Sequence, residues 1–301
     1  SMLKNGYPRG LAAVIQACAG SLGPIIPPSL TMIIYCSLTG LSIGECFMAG
    51  VIPGLIIGLG VAVVTYFYAR RLGIKGDERV PYRERLTAIK DGILAIIMPL
   101  IIIGGIVSGI FTPTESGAIA VIYALVIGMF VYKEFTYREL PRIFLKAASM
   151  TGMALLIVAG ASIFSWLVAY EKFPKMIITF LTGLTDNKYV IMMLLVLFLL
   201  FVGMFIETLS ATIICAPILM PVAAQYGIDP IQFALIMVIT LVYAGVTPPV
   251  GGVLFITMGI AKAKMKEALT YLAPYLGIIC IVILLLIFVP QISLLLPRLL
   301  F

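Results

Sequence analysis

The sequence predicts an all-α polytopic membrane protein with inverted repeats, broken helices and a re-entrant hairpin. Hydrophobic residues make up 62% of the 301 positions and charged residues only 11%, whereas a soluble domain carries about 25% charged residues. Apolar runs of about 20 residues recur, and each is long enough to cross about 30 Å of hydrocarbon. Two runs contain a Pro-Pro pair, at 27–28 and 248–249. Proline removes a backbone donor and clashes with the preceding turn, so both runs are predicted to be broken helices.

The net charge of +7 does not indicate nucleic-acid binding, because the Lys and Arg residues gather in short segments between the apolar runs. Cytoplasmic loops of membrane proteins carry this kind of excess. The chain has no histidine, and none of its five cysteines forms a C-x-x-C pair. These features disfavour an enzyme with a metal or redox centre, and we expect no organic cofactor.

The first half of the chain divides into apolar spans that polar segments separate. A polar loop is expected at 70–91, and the short segment 112–116 joins two later spans. The basic, amphipathic segment 133–148 is predicted to be a helix that lies in the membrane interface. The apolar spans of this half are predicted at 10–36, 44–69, 92–111 and 117–132.

The second half begins with a segment that allows two interpretations. Residues 150–170 are long enough to span once, but 171–184 hold a shorter apolar piece that suits one leg of a re-entrant hairpin. Further spans are predicted at 190–223, which carries the polar stretch 207–212, at 228–261 around the second Pro-Pro pair, and at 268–297 after the loop 262–267.

The two Pro-Pro pairs belong to one repeated unit. A shift of 221 residues without gaps superposes segment 6–54 on segment 227–275 and aligns Pro53 with Pro274. If 150–184 forms a hairpin that returns to one side, the repeats are inverted; if 150–170 crosses alone, they run parallel. The charges favour the hairpin, since it puts most basic residues on one side, which the positive-inside rule makes cytoplasmic. That side receives Lys4, Arg9, Lys188 and the segments 70–90, 133–148 and 262–266, and Arg298 falls opposite.

Inverted repeats, broken helices and re-entrant hairpins together indicate a secondary transporter. Unwound backbone at mid-membrane is tolerated only where it is buried in protein or lines a cavity. There, freed carbonyls coordinate Na⁺, and the N-termini of half-helices face an anionic substrate. We therefore expect the two Pro-Pro loops to meet at mid-membrane and to face one pocket.

Several stretches resemble the large membrane subunit of TRAP transporters, the tripartite ATP-independent periplasmic transporters of bacteria and archaea. The resemblance covers nearly all of the chain. It implies an elevator-type carrier in the bacterial cytoplasmic membrane, coupled to Na⁺ and joined by a smaller membrane subunit. A periplasmic substrate-binding protein would deliver an organic acid, such as sialic acid or a C4-dicarboxylate. The matching stretches are GYPRG at 6–10, GPIIPPS at 23–29, FTPTESGA at 111–118, residues 203–230 and TPPVGGVLF at 247–255.

The resemblance also implies roughly a further hundred residues ahead of GYPRG, which would hold the first hairpin. We expect this sequence to be a fragment, or its first part to be a separate chain. The implied domains are a transport part of the first repeat at 1–43, scaffold helices with an arm helix at 44–149, a transport part of the second repeat with its hairpin at 150–261, and a scaffold helix at 262–301.

Candidate ion ligands are hydroxyl, carbonyl and carboxylate oxygens near the predicted breaks. Glu207 is an acid within an apolar run, which is a functional candidate by default, and the resembled family often has an acid there; the alternative is a boundary Glu bonded to a helix N-terminus. Family hairpin serines near the ion site imply a role for Ser162, for which helix packing is the alternative. The predicted ion set is Ser162, Gly203, Ile206, Glu207, Thr208, Ala244, Gly245, Thr247 and Val250.

Candidate substrate contacts lie in the Pro-Pro loops and in the predicted hairpin. Lys172 and Lys175 are the basic residues that we expect near the pocket, with snorkelling to water as the alternative. Glu115 is predicted to close a capping box with Thr112 rather than to dock the binding protein. The predicted substrate set is Gly23, Pro27, Pro28, Ser29, Ser165, Lys172, Lys175, Pro248 and Pro249.

Three other functions compete with this hypothesis. The first is another ion-coupled carrier that works without a binding protein. The second is a membrane-embedded enzyme, which lacks paired carboxylates and a nucleophile–base pattern. The third is an assembly scaffold, which does not explain two broken helices.

Overall fold

A computed structural model gives the structure of the chain and describes residues 2–74, 81–183 and 185–301. All regular structure in this part of the chain is helical, so the all-α prediction is confirmed. Six of the described helices are long and apolar enough to cross a membrane, as a polytopic membrane protein requires. Within helices, the backbone alone is described at 83, 85–88, 90, 91, 154, 157, 161, 162, 164, 165, 168, 169, 173, 174 and 182.

The helices are numbered in chain order, and a π-helical turn at Ile127–Val131 extends α5. The chain divides into a first compact unit, Ser1–Gly76 with Phe164–Phe301, and a second unit, Asp77–Ile163. The helix bounds are Arg9–Gly20 (α1), Leu30–Thr39 (α2), Ile43–Arg71 (α3), Tyr82–Val107 (α4), Pro113–Val126 (α5), Leu140–Tyr170 (α6), Phe173–Thr182 (α7), Lys188–Phe205 (α8), Thr208–Gln225 (α9), Pro230–Ala244 (α10), Gly252–Ala261 (α11), Met265–Phe288 (α12) and Gln291–Leu300 (α13).

The predicted breaks are present. Residues 21–29 separate α1 from α2, and 245–251 separate α10 from α11, so each Pro-Pro pair lies between two short helices. Residues 206–207 separate α8 from α9. The capping box is also confirmed, because the Glu115 carboxylate accepts the Thr112 amide at 2.8 Å while the Thr112 hydroxyl accepts the Glu115 amide at 3.3 Å.

Three element predictions were wrong at their bounds. Helix α4 begins at Tyr82, inside the predicted polar loop, directly after the helix-starting Pro81. Residues 133–139 are not helical, and α6 then runs unbroken to Tyr170, so the arm segment 133–148 is not a separate helix. The last span ends at Phe288, because Pro290 separates it from α13.

Helices α8 and α9 form a hairpin in the first unit that the sequence did not reveal. Its open ends lie together at one end of α12, since Tyr189 at the start of α8 stacks on Phe288 while Gln232, seven residues after α9, donates to the Leu286 carbonyl. At the other end, Gly203 packs against Ala244 so closely that a Cβ on Gly203 would lie 2.6 Å from the Ala244 Cβ. The tip of the hairpin therefore lies beside the break that follows α10.

The predicted hairpin at 150–184 contains the C-terminal part of α6, a two-residue turn and α7. Lys172 in this turn has a left-handed backbone conformation, with φ of 54°. The division into a longer and a shorter apolar piece matches the prediction. Their re-entrant path stays a prediction.

The directions of α1, α3 and α10 follow from the part of α12 that each of them contacts. The C-terminal half of α3 lies beside the N-terminal half of α12, where the Thr65 hydroxyl is 3.0 Å from the Tyr275 hydroxyl, so α3 and α12 are antiparallel. The Gln232 amide, near the start of α10, donates to the Leu286 carbonyl at 2.7 Å. Helix α1 instead begins beside the start of α12, because Gly10 packs on the backbone of Glu267. Helices α1 and α10 therefore begin at opposite ends of α12.

Two basic residues, Arg9 and Lys188, lie at opposite ends of α12. Arg9 donates to the Lys262 carbonyl at 3.5 Å, just before α12 begins. The Lys188 ammonium lies over the Tyr189 ring, which stacks on Phe288 at the last residue of α12. Because 24 helical residues are about 36 Å long, Lys188 lies at the opposite end from Arg9. The prediction that these two cations share one side was wrong.

We expect Gly10→Ala to lower the thermal unfolding temperature of the detergent-solubilised protein. Its Cβ would lie 2.5 Å from the backbone carbonyl of Glu267, and overpacking a tight contact costs about 1–3 kcal/mol. Gly259→Ala is the matched control, because its Cβ would meet nothing within 4 Å. An equal unfolding temperature for the two variants would contradict the close packing of α1 on α12.

Candidate functional site

The first Pro-Pro break and the break between α8 and α9 meet at one open cavity of about 440 Å³, which α10 and α11, on either side of the second Pro-Pro break, also line. The first break and the ends of α1 and α2 form one wall, the tip of the α8–α9 hairpin forms a second, and α10 with α11 forms a third. The lining residues are Gly20, Ser21, Gly23, Pro24, Leu30, Thr31, Glu207, Thr208, Leu209, Val242 and Val253.

The first wall is held by a serine that caps a helix. Ser29 is the N-cap of α2, and its hydroxyl accepts the Met32 amide at 3.2 Å while it donates to the Pro24 carbonyl. Ser29 is 1% exposed. Its hydroxyl therefore fixes the shape of the break.

In the same wall, the hydroxyls of Ser21 and Thr31 take no part in the hydrogen bonds that hold the break in shape. Ser21 is 3% exposed, and its hydroxyl has no hydrogen-bond partner. Thr31 is 6% exposed, and no side-chain bond is recorded for it in the described part of the chain. Because a buried polar group without a partner costs free energy, the Ser21 hydroxyl is a candidate ligand contact. The sequence prediction missed both, although Ser21 stands two residues before the predicted Gly23.

The hairpin tip contributes Glu207 and Thr208. Glu207 is exposed and is the N-cap of α9, where its carboxylate accepts the Leu209 amide at 2.9 Å and the Ser210 amide at 3.1 Å. This is the boundary arrangement that stood as the alternative for Glu207. The Thr208 hydroxyl lies 3.5 Å from the Leu241 carbonyl. A Cβ on Gly245 would lie 3.7 Å from the same hydroxyl, so the tip contacts the second Pro-Pro break.

The second Pro-Pro break is closed by its own hydrogen bonds. The Thr247 hydroxyl donates to the Tyr243 carbonyl at 2.8 Å, and the Thr247 amide donates to the Ala244 carbonyl at 2.9 Å. The Gly245 carbonyl accepts the Val253 amide at 3.0 Å across the break. The Ala244 and Gly245 carbonyls each keep one lone pair, because a carbonyl oxygen has two, whereas the Tyr243 carbonyl also accepts the Val246 amide at 3.0 Å.

The structure brings only part of the predicted set to the cavity. Gly23, Glu207 and Thr208 line it. Lys172 and Lys175 line a different cavity along α7, together with Glu171 and Met176. Ser162 and Ser165 lie in α6 outside the described side chains. The remaining predicted residues flank the breaks without being among the lining residues: Pro27, Pro28, Ser29, Gly203, Ile206, Ala244, Gly245, Thr247, Pro248, Pro249 and Val250.

The sequence model of the family described as "Tripartite ATP-independent periplasmic transporter, DctM component" matches residues 1–292. The chain belongs to this family. The C4-dicarboxylate TRAP transporter large permease protein of Pseudomonas aeruginosa is 36% identical over 297 residues, which are 99% of this chain and 70% of that protein.

Two further relatives of this DctM-family chain carry other substrate names. The sialic acid TRAP transporter large permease protein of Vibrio cholerae is 35% identical over 299 residues, covering 99% of this chain and 70% of that protein. The 2,3-diketo-L-gulonate TRAP transporter large permease protein of Escherichia coli is 34% identical over 294 residues, covering 98% of this chain and 69% of the relative. These relatives are transporter permeases, which agrees with the expectation of a non-enzyme.

The chemistry of the cavity in this family member is that of neutral oxygens. Ser21, Thr31 and Thr208 line it beside Gly23 and Glu207, and the Ser21 hydroxyl itself lies buried in the wall. In the described part of the chain, no group of three or more His, Cys, Asp or Glu side chains comes together. Such a set suits a hard, singly charged cation or a polar substrate better than a transition metal.

We expect Glu207→Ala to lower the unfolding free energy by about 0.5–2 kcal/mol, because two α9 amides lose their acceptor. Glu207→Asn keeps a good capping side chain without the charge, so it should recover most of that loss. Thermal unfolding in detergent measures both. Unchanged stability in the alanine variant would show that the carboxylate does not cap α9 in solution.

Proposed function

We propose that this chain forms the transport core of a Na⁺-coupled carrier that takes up an organic acid by an elevator mechanism. The proposal is carried by one cavity that two helix breaks and the helices flanking the third break line together, with an unpaired Ser21 hydroxyl buried in its wall. Broken helices at a shared cavity are the architecture by which secondary transporters bind substrate and coupling ions together. The family membership supports the transport function, and the named coupling and motion are our inference.

An inverted repeat is part of the proposal. Under the 221-residue shift, α1 corresponds to α10 and α3 to α12, and the starts of α1 and α10 differ by exactly that shift. Two observations support inversion: α1 and α10 begin at opposite ends of α12, and α3 and α12 are antiparallel. The packing is also reciprocal, since α1 contacts α12 while α10 contacts α3. Such reciprocal contacts are expected of two units related by a two-fold axis.

Na⁺ is proposed as the coupling ion because the residues lining the cavity supply mainly uncharged carbonyl and hydroxyl oxygens. The carbonyl of the lining residue Gly23 accepts no backbone hydrogen bond in the described part of the chain, and neither does that of Ile206, which precedes the lining residue Glu207. Ser21, Thr31 and Thr208 add hydroxyls. Carbonyls of unwound backbone coordinate Na⁺ in transporters of this kind. The N-terminus of α9 lies at the same cavity, but its Leu209 and Ser210 amides already donate to the Glu207 carboxylate, so an anionic substrate takes its hydrogen bonds from other donors.

The proposed substrate is a carboxylate, because C4-dicarboxylate, sialic acid and 2,3-diketo-L-gulonate in the relatives' names are all organic acids. The family's tripartite description supports a smaller membrane subunit and a periplasmic substrate-binding protein as partners. We propose the bacterial cytoplasmic membrane as the location, with the Arg9 end of α12 facing the cytoplasm.

Uptake into liposomes tests the proposed function. The complete transporter complex should accumulate a radiolabelled carboxylate only under an inward Na⁺ gradient and only with its binding protein outside. An equal K⁺ gradient and a binding protein from another transporter are the controls. Uptake without any binding protein would favour the other hypothesis, a carrier that takes substrate directly from solution.

We expect Ser21→Ala to raise the Na⁺ concentration for half-maximal uptake by about tenfold, equivalent to about 1.4 kcal/mol. The unfolding temperature should not fall, because the hydroxyl has no partner to lose. Ser37→Ala is the matched control, since the Ser37 hydroxyl is exposed and bonds the Ile33 carbonyl at 2.8 Å. If both variants show wild-type Na⁺ dependence, the ion does not use Ser21.

A further inference from the structure

A second cavity of the first unit, about 700 Å³ in volume, opens beside the C-terminal end of α3. Residues 64, 67, 68 and 71 recur at helical spacing, so the cavity follows one face of α3. Helix α12 closes its other side. None of the residues in the predicted ion and substrate sets lines it. The lining residues are Val64, Phe67, Tyr68, Arg70, Arg71 and Pro274.

Two adjacent guanidinium groups stand at the mouth of this cavity. Arg70 and Arg71 are both exposed, and they end a helix that is apolar over its preceding 20 residues. In the described part of the chain, no ion pair is recorded for either arginine; the ion pair that is recorded joins Arg298 to Asp229 at 3.9 Å. Their charge is therefore available to an external anion, and guanidinium groups bind phosphate oxygens through paired hydrogen bonds.

The wall beneath the arginines is apolar and fixed in place. The Tyr68 ring packs edge-on against Tyr271 at 5.3 Å and stacks on Tyr275 at 6.2 Å. Phe67 remains 62% exposed beside it. An apolar ring left open inside a cavity gains free energy when another apolar group covers it.

The depth of the cavity matches the headgroup-to-acyl boundary of a membrane. Val64 lies seven residues before Arg71, which is about 10 Å along the helix. Each interfacial layer of a bilayer is about 5–8 Å thick, from the difference between its total and hydrocarbon thickness. A ligand with its anion on Arg71 therefore reaches hydrocarbon depth at Val64. A small water-soluble anion would use only the arginines and leave Phe67 uncovered.

We propose that this cavity binds an anionic phospholipid of the cytoplasmic leaflet. The phosphate group would pair with Arg70 and Arg71, and an acyl chain would cover Val64 and Phe67. The cytoplasmic assignment follows from the basic end of α12, where Arg9 and Lys262 also lie. Basic cavities between membrane helices on this side bind anionic lipid headgroups in other proteins.

Lipid titration of the purified, delipidated protein tests this site. Phosphatidylglycerol should raise the unfolding temperature, and phosphatidylcholine should not, because only the first carries net negative charge. The double variant Arg70→Gln/Arg71→Gln should bind phosphatidylglycerol at least tenfold more weakly. Val64→Trp keeps both charges but fills the cavity, so it should weaken binding at least fivefold. Native mass spectrometry should show fewer retained anionic lipids in both.

The matched control is Lys4→Gln/Lys266→Gln, which removes the same charge from exposed residues that do not line the cavity. It should bind phosphatidylglycerol within twofold of the wild type. Equal loss in both double variants would overturn the proposal in favour of diffuse charge attraction. Competition by millimolar inorganic phosphate or glycerol 1-phosphate would overturn it in favour of a soluble anion. Loss of lipid binding when the smaller subunit is added would make this face a subunit contact.

Discussion

The fold depends on how the backbone polar groups of three helix breaks are satisfied in an apolar bundle. Hydrocarbon offers no hydrogen bonds, so an interrupted helix must bury its freed groups or turn them toward a cavity. Ser29, Glu207 and Thr247 meet this constraint at one break each. Ser29 and Glu207 accept amides at the start of the following helix, while Thr247 returns its hydroxyl to the helix before.

Close glycine contacts then hold these breaks at one level. Gly203 lets the hairpin tip approach Ala244, so the end of α8 lies beside the end of α10. Gly10 lets α1 begin against the start of α12, and Gln232 ties the start of α10 to the end of the same helix. The breaks after α1 and α10 therefore lie between the ends of α12, which is where a substrate cavity is shielded from both sides of a membrane.

The sequence predicted the positions of the breaks because Pro and Gly act locally, within one helical turn. The Thr112 capping box was predictable for the same reason. Longer-range features were not. The hairpin of α8 and α9 was missed because both legs are long enough to span, and the contacts of Gly203 with Ala244 and of Thr208 with Leu241 reveal that the tip stops beside a break. Lys188, the first residue of α8, was assigned to the wrong side for the same reason. Ser21 was missed because an unpaired hydroxyl is defined by what surrounds it in space.

At the cavity, hydroxyls that already donate a hydrogen bond within the protein differ in role from hydroxyls that have no partner. Ser29 and Thr247 were both expected to contact ligands, yet each hydroxyl already donates its single proton to a backbone carbonyl. A hydroxyl in that state can still offer a lone pair to a cation, but it cannot donate to an anion. Ser21 retains both capacities. In the proposed carrier, an anionic substrate at the first wall would take its hydrogen bonds from Ser21 and from unpaired amides, whereas a cation would have the wider choice of carbonyls and hydroxyls. The proposed carrier would therefore have more groups available to bind its coupling cation than to recognise its anionic substrate.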